Sequence, residues 1–373
     1  MLDSTLYPRL YKQFELLIRE SCDLNLVKMD PLPGDASRRK YFRLYHNDGT
    51  LIGVSGNDEK ENRSFIYFCR HFHSMGLPVP QLYASNMGQG IYVVEDLGDE
   101  TLAERTSKPS VSRKEVLHFY VQSVKDLVDF QVLGHMGIDY KNNCHQNQRF
   151  DQNNAEEDLQ YFSENFFLVA KDYSNISGIE FELKKLAEIV GNSQPTFFLY
   201  RDFQCRNMIV RSDGRLGYVD FQAGRQGPLQ YDVATLLYAS QAHLSESERQ
   251  NILLEYLNKL KQVTTPENTL KEEVDTSDLS KAVSHNDFMS KYYFFVLFRI
   301  LRALGVYLFL ANREGHRRFF GAVPLALENL AGLFSEHMFL GEVFPMLQAL
   351  AKRLSSEETF LHPNKLMKLI GPH

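Results

Sequence analysis

Three side chains with oxygen ligands, Asp202, Asn207 and Asp220, flank a predicted hairpin and could together hold a metal ion. Asp213-Gly214 separates two strand-like runs, and this dipeptide favours a two-residue turn. On that register Asn207 faces Asp220 across the hairpin, with Cβ atoms about 5 Å apart. Amide and carboxylate oxygens suit a hard divalent cation such as Mg²⁺ or Mn²⁺. The pattern therefore predicts metal ligands at Asn207 and Asp220, with the Asp202 carboxylate just before the hairpin.

The spacing of Asp202 and Asn207 matches the Asp-x-x-x-x-Asn pattern of kinase catalytic loops. In such a loop the Asp accepts the proton of the acceptor hydroxyl, and the Asn binds a metal that also contacts the nucleotide phosphates. Each residue alone is more often structural, as a loop carboxylate, a turn residue or a strand-end residue. Their combination around one turn favours phosphoryl transfer, with Asp202 as the catalytic base.

Composition excludes several other classes of protein. The chain has 373 residues, of which 43% are hydrophobic and 24% charged, as expected for a folded globular protein with two domains or lobes. Its net charge of −6 argues against nucleic acid as the main partner, because binding to the phosphate backbone needs a basic face. The four cysteines have neither zinc-site nor disulfide-framework spacing.

The most apolar stretch, residues 292–311, contains Arg299 and Arg302. Two arginines near the middle of a membrane span would be costly, so the stretch is predicted to be a buried helix. The arginines either pair with buried carboxylates or reach a carboxylate on the substrate. The first residues show no signal peptide, and we expect a cytoplasmic protein with no membrane partner.

Periodicity predicts a small α+β part followed by a mostly helical part. The first part is expected to contain a helix at 7–21, strands at 40–45, 50–54, 81–84 and 90–95, and a helix at 61–74. Later helices are expected at 113–133, 155–171, 178–190, 246–262 and 287–311, with strands only between 197 and 221 and a surface loop at 264–286. The polar break at 96–99 places the lobe boundary, which gives residues 1–97 and 98–373.

Six segments give the sequence a family resemblance: 34–44, 76–80, 95–98, 200–207, 219–222 and 227–234. In these segments it resembles the aminoglycoside phosphotransferase and choline-kinase-like group of the protein-kinase-like superfamily. Within that group it is most similar to bacterial kinases that phosphorylate N-acetylmuramate and N-acetylglucosamine at the anomeric hydroxyl. The resemblance implies a bilobal protein-kinase-like fold, with a small antiparallel-sheet N-lobe, a larger helical C-lobe, and ATP as co-substrate.

The resemblance also implies roles for individual residues. Asp202 would be the base, and Asn207 and Asp220 the metal ligands. The loop over the phosphates would be formed by Gly34, Ser37, Arg38 and Arg39, although an ordinary turn before a strand has the same pattern. The hinge that meets the adenine would be formed by Glu95, Asp96 and Leu97, which also suit a plain linker. Residues that flank the catalytic loop, and either contact the acceptor or are structural, are Arg206, Gln222 and Arg225.

Departures from the family pattern leave an alternative open. Tyr200 stands where kinases usually have His, and residues 51–55 lack the lysine that pairs with phosphates. Lys60 lies just beyond this strand, and Arg38, Arg39 or Lys40 could supply the charge instead. Glu61 is either the partner glutamate of the following helix or part of a solvated face. These departures suit a catalytically impaired pseudokinase that acts as a nucleotide-binding or regulatory module.

Two observations favour an active small-molecule kinase over these alternatives. The retained Asp202, Asn207 and Asp220 oppose loss of catalysis, because an inactive descendant would have no need of them. A protein kinase is disfavoured because the helix predicted from Tyr231 follows Asp220 too soon for a peptide-docking segment. The sequence thus predicts transfer of the ATP γ-phosphate to a sugar hydroxyl, with nucleotide and small-molecule acceptor as partners.

Overall fold

The computed structural model describes residues 7–33, 39–170, 178–194, 196–264, 285–312 and 316–370. The chain forms two compact units, of which the first combines residues 1–148 with 200–225 and the second combines 149–199 with 226–373. The proposed functional division into 1–97 and 98–373 stays a prediction. Most of the expected loop at 264–286 lies outside the described residues.

A five-stranded antiparallel sheet with the order β1-β2-β3-β5-β4 forms the base of the first unit. Its strands are β1 (Lys28–Leu32), β2 (Lys40–His46), β3 (Gly49–Ser55), β4 (Leu82–Asn86) and β5 (Ile91–Glu95). The sequence did not predict β1, because Pro31 cannot donate to a ladder. The strand lies at the sheet edge, where that missing N–H is tolerated.

Apolar residues that recur at helical spacing give a helix one apolar face, which can pack against a sheet. Helix α1 (Pro8–Cys22) buries Phe14 and Ile18 in a core that includes Phe42 of β2. Helix α2 (Glu59–Ser74) is capped at its N-terminus by Asp58, whose side chain accepts from the Glu61 amide. The first unit continues with α3 (Leu102–Ser107), α4 (Arg113–Val132) and α5 (Tyr140–Asn143).

The second unit is mostly helical. Its helices are α6 (Gln152–Val169), α7 (Ile179–Gly191), α8 (Gln230–Leu237), α9 (Glu246–Thr264), α10 (His285–Asn312), α11 (Ala322–Glu336), α12 (Met338–Val343), α13 (Pro345–Ser355), α14 (Glu358–Leu361) and α15 (Pro363–Ile370). A two-stranded pairing joins β6 (Thr196–Leu199) to β9 (Arg225–Pro228). The long predicted helices are confirmed within a few residues at each end.

Helix α10 is the apolar stretch that the sequence predicted to be buried. Among the described residues it alone is long and apolar enough to cross a membrane, and 72% of its most apolar window is buried. Arg302 pairs with Asp158 of α6 at 2.9 Å, which confirms pairing with a buried carboxylate at this position. Arg299 donates to the Tyr231 hydroxyl at 2.6 Å. These polar contacts offset the cost of burying charge in an apolar helix.

Candidate active site

The catalytic hairpin consists of β7 (Met208–Val210) and β8 (Leu216–Tyr218), both in the first unit. Ile209 pairs with Gly217, so the predicted two-residue turn and its register were wrong by one residue. The Arg211 carbonyl accepts from the Gly214 amide, and Gly214 has φ 81°, which closes a three-residue loop. Glycine tolerates that left-handed conformation, and such loops are the next most common hairpin connections.

A backbone reversal at Asp220 compensates for the shifted register. Asn207 is now opposite Val219, whose amide donates to the Asn207 carbonyl at 3.0 Å. Asp220 has φ 70°, a left-handed conformation that is unusual for a residue other than glycine. Its side chain consequently lies beside Asn207, with Asn207 Nδ2 3.2 Å from Asp220 Oδ2. Such strain is characteristic of functional sites.

Asn207 connects the two carboxylate residues that the sequence singled out. Its Nδ2 also donates to the backbone carbonyl of Asp202 at 2.8 Å, and Asn207 itself is 9% exposed. Arg201, which precedes Asp202, has a left-handed φ of 76°. The Asp202 side chain is half-buried at the start of this loop. The structure therefore places the Asn207 amide between the Asp202 backbone and the Asp220 carboxylate, although the register that led to this expectation was wrong.

Tyr200 has a structural role in place of the kinase histidine. It is fully buried, and its hydroxyl donates to the Val219 carbonyl at 2.7 Å. The ring makes edge contacts with Phe130, Phe203 and Phe221. Tyr200 thus anchors the backbone that immediately precedes Asp220.

Arg39 lies at the centre of the charged groups in this site. It is 4% exposed, and its Nη2 donates to Asp220 Oδ1 at 3.0 Å. Its Nε is 3.5 Å from a carboxylate oxygen of Glu61, and its Nη1 donates to the Tyr92 hydroxyl at 3.3 Å. Burial alone would lower the pKa of Arg39, but Tyr92, Tyr41, Asp220 and Glu61 outweigh it and raise the pKa. The guanidinium therefore stays charged.

Gln222 completes the ring of donors around Asp220. Its Nε2 donates to Asp220 Oδ1 at 2.9 Å, and its backbone carbonyl accepts from the Ser64 hydroxyl at 2.8 Å. Phe65, next to Ser64 on α2, stacks on Phe221 with ring centroids 4.8 Å apart. No local pattern indicated Ser64 or Phe65, since both contacts join parts of the chain that are distant in sequence.

The other two predicted acceptor residues occupy different environments. Arg206 is exposed, whereas Arg225 is 2% exposed. Arg225 donates to the Ala223 carbonyl at 3.2 Å and to the Gln146 side chain at 2.5 Å. The contacts of Arg225 favour a structural role for that residue. The side chain of Arg206 is exposed and therefore accessible to a ligand.

Two arginines fix the segment predicted to meet the adenine. Glu95 accepts from Arg211 at 2.7 Å, which joins the end of β5 to the end of β7. Asp96 pairs with Arg43 Nε at 2.7 Å, and its side chain is largely buried. Leu97 is buried, and its side chain packs against β8. The segment is thus held by side chains, and the Glu95 amide also donates to the Gln81 carbonyl at 2.8 Å. Gly34, Ser37 and Arg38 of the predicted phosphate loop lie outside the described residues.

The donor set around Asn207 and Asp220 fits a divalent cation. Both residues offer oxygen, which Mg²⁺ prefers. Because the amide nitrogen of Asn207 is occupied by Asp202 and Asp220, the ligand atom of Asn207 would be Oδ1. The Asp220 side chain is 36% exposed, so water and phosphate oxygens can approach it. This small ligand set is typical of ions that complete their coordination with phosphate.

The chain is similar to known kinases over most of its length. Residues 28–289 match the phosphotransferase enzyme family. The chain is 23% identical to an N-acetylmuramate/N-acetylglucosamine kinase of Pseudomonas aeruginosa, over 87% of this chain and 89% of that protein. It is 22% identical to a protein of the same name from Neisseria meningitidis, over 87% and 90% of the two chains.

Solved structures show the same fold at lower sequence identity. Choline kinase LicA from Streptococcus pneumoniae is 15% identical with a TM-score of 0.54, covering 87% of this chain and 99% of that chain. The gentamicin complex of APH(2")-IIa has the same identity and TM-score, covering 90% and 99%. The predicted α+β, protein-kinase-like fold is therefore confirmed. The chain belongs to the phosphotransferase enzyme family, which confirms the prediction of an ATP-dependent enzyme that phosphorylates an alcohol group.

Proposed function

We propose that this enzyme is a Mg²⁺-dependent sugar kinase that phosphorylates the anomeric hydroxyl of an N-acetylated amino sugar. The observation that carries the kinase chemistry is the position of Asn207 Nδ2, which bonds both the Asp202 carbonyl and the Asp220 carboxylate. These two bonds support the proposal, because they hold the backbone of Asp202 and the carboxylate of Asp220 beside Asn207. Precise positioning is the main requirement of phosphoryl transfer, which involves little covalent chemistry by the protein.

Asp202 is proposed to be the general base. Its carboxylate accepts the proton of the acceptor hydroxyl as the oxygen attacks the γ-phosphorus of ATP. The bond from that phosphorus to the β–γ bridging oxygen breaks, and ADP leaves with the bond's electron pair. An anomeric hydroxyl is more acidic than an ordinary sugar hydroxyl, so a carboxylate suffices as its base.

Asn207 and Asp220 are proposed to hold Mg²⁺ or Mn²⁺. A bound cation would neutralise charge on the nucleotide phosphates. The protein's own contribution is to orient both ligands. Val219 and Tyr200 hold the backbone of Asp220, and Gln222 holds its carboxylate.

The nucleotide site is proposed to combine the remaining predicted residues. Backbone amides and basic groups of Gly34, Ser37, Arg38 and Arg39 would meet the phosphates. The backbone of Glu95, Asp96 and Leu97 would meet the adenine. The arginine contacts to Glu95 and Asp96 support this assignment, because they keep those carboxylates away from a neutral base.

The acceptor assignment rests on the relatives, whose printed names are N-acetylmuramate/N-acetylglucosamine kinase and which align over most of both chains. A net-acidic protein can bind a sugar acceptor through hydroxyl and amide hydrogen bonds. Of the residues predicted to contact it, Arg206 is exposed and suits a carboxylate-bearing acceptor, whereas Gln222 and Arg225 are engaged within the unit.

The test is a panel of free N-acetylmuramate, N-acetylglucosamine, other hexoses, choline and an aminoglycoside, with ³¹P NMR of the product. We expect phosphorylation of the N-acetylated sugars only, with the phosphorus signal split by the single anomeric proton and the product labile to acid. A C6-phosphate, or turnover confined to choline or the aminoglycoside, contradicts the acceptor assignment. Undiminished turnover in excess EDTA contradicts the metal requirement. Asp202→Asn serves as the inactive control.

A further inference from the structure

The strand that carries the phosphate-binding lysine in kinases has none in this chain. Kinases place that lysine on the third strand of the small sheet, paired with a glutamate of the following helix. Here β3 has Val54 directly paired with Tyr41 on β2 and with Tyr92 on β5. Side chains of directly paired residues share one face of a sheet. Val54 therefore lies on the same face as Tyr41 and Tyr92, but it is apolar and buried.

Arg39 brings a cation to that face from the neighbouring strand. It immediately precedes β2, and its guanidinium carbon lies 5.7 Å from the centroid of the Tyr41 ring. Its Nη1 donates to the Tyr92 hydroxyl at 3.3 Å, and the ring centroid of Phe65 on α2 lies 6.0 Å from the guanidinium carbon. The charge of Arg39 is thus next to the two residues that flank Val54.

The charged partners of Arg39 match those expected of the missing lysine. Glu61 lies in the first turn of α2, the helix that follows β3, and its carboxylate is 3.5 Å from Arg39 Nε. Asp220, the proposed metal ligand, accepts from Nη2 at 3.0 Å. Lys40, the next residue, is exposed, and its side chain lies on the opposite face of the sheet from Arg39, because successive side chains of a strand alternate.

We propose that Arg39 replaces the strand lysine, with Glu61 orienting it through Nε and its terminal nitrogens pairing with the nucleotide phosphates. This inference rests on the proposed kinase function and assigns one residue of that site. An arginine suits the position because its long side chain reaches across from the neighbouring strand. Its guanidinium also has separate N–H donors for Glu61 and for phosphate. A purely structural ion pair between α2 and the 220–222 segment is the competing explanation.

Nucleotide binding separates the two explanations. The variants are Arg39→Met and, as a matched control, Arg63→Met, which removes an exposed arginine of α2 that pairs with Glu59. Binding of ATP, ADP and adenosine in the presence of Mg²⁺ is measured by calorimetry without acceptor. Loss of a charge-assisted hydrogen bond predicts about 10- to 150-fold weaker binding of ATP and ADP by Arg39→Met. Adenosine has no phosphate, so we expect its affinity to stay within about twofold of wild type.

Relocating the charge adds an independent test. The double variant of Arg39→Met with Val54→Lys returns a cation to β3, and we expect it to recover at least tenfold of the lost ATP affinity. Equal loss of ATP and adenosine binding in folded Arg39→Met, or ATP binding as strong as in Arg63→Met, overturns the inference. If the double variant does not fold, the comparison of ATP with adenosine decides. An acceptor other than an amino sugar would alter the product panel and leave these affinities unchanged.

Discussion

Replacing Tyr200 with Phe isolates the hydrogen bond that holds the backbone before Asp220. The residue is fully buried, and its hydroxyl donates to the Val219 carbonyl at 2.7 Å. The substitution retains the ring and its packing and removes one oxygen atom. Leaving a buried acceptor unsatisfied costs about 1–3 kcal/mol, so we expect the free energy of unfolding to fall by that amount.

A functional effect should accompany the loss of stability. Asp220 has a φ of 70°, and a strained residue of this kind costs of order 1–3 kcal/mol that its neighbours must offset. Without the Tyr200 bond Asp220 can relax away from Asn207. We therefore expect the KM for Mg²⁺-ATP to rise. The loss of about 1–3 kcal/mol in stability corresponds to about 5- to 150-fold in affinity, which sets the upper limit of the rise.

The assay is urea unfolding, with the shift in midpoint multiplied by the m-value, together with steady-state kinetics. Tyr83→Phe is the matched control, because Tyr83 is 39% exposed and loses the same atom. We expect that control to stay within about 0.5 kcal/mol of wild type. A Tyr200→Phe shift no larger than the control refutes the stability argument. A full shift with an unchanged KM refutes the link to Asp220.

Three further predictions concern the base, a close backbone approach and a half-buried histidine. Asp202→Asn and Asp220→Ala should both lower turnover by at least about 10²-fold. Only Asp220→Ala should weaken the binding of Mg²⁺-nucleotide, measured by calorimetry. Wild-type turnover in folded Asp202→Asn would exclude Asp202 as the base. Gly90→Ala should lower the melting temperature, because φ is 65° and a Cβ would lie 2.5 Å from the Gly56 carbonyl oxygen; an unchanged melting curve would contradict this. Burial lowers the pKa of His135, so the unfolded chain binds a proton at this histidine before the folded chain does as the pH falls. The contribution of His135 to stability should therefore be full above the usual histidine pKa and decline below it. We expect His135→Gln to reduce this decline, measured as unfolding midpoints between pH 7 and 5.

Local sequence patterns predicted most of the elements because they depend on neighbouring residues. The helical spacing of apolar residues predicted α1 and α10, and Asp58 caps α2 within two residues of the expected start. The hairpin of β2 and β3 followed from the polar turn between them, and its observed register pairs His46 with Gly49. The edge strand β1 lacked such a signal because Pro31 interrupts it.

The register of the catalytic hairpin shows where local rules stop. Asp213-Gly214 permits both a two-residue and a three-residue loop, and the structure has the second, with Gly214 in the left-handed region. The choice depends on how β8 packs, since the Tyr218 amide must also donate to the Pro78 carbonyl at 2.9 Å. Asn207 and Asp220 meet nonetheless, because the backbone of Asp220 adopts a strained conformation that no sequence pattern indicated.

By itself the sequence determined the residue types and spacing of Asp202, Asn207 and Asp220, and hence the class of chemistry, because those depend on side-chain chemistry and short loops. Only the tertiary structure decided which cation lies beside Asp220. Arg39 and Asp220 are 181 residues apart, and their contact exists because the strand β2, the helix α2 and the catalytic hairpin pack together. Arg39 is buried beside the carboxylates of Asp220 and Glu61, which offset the cost of burying its charge, whereas Lys40 is exposed.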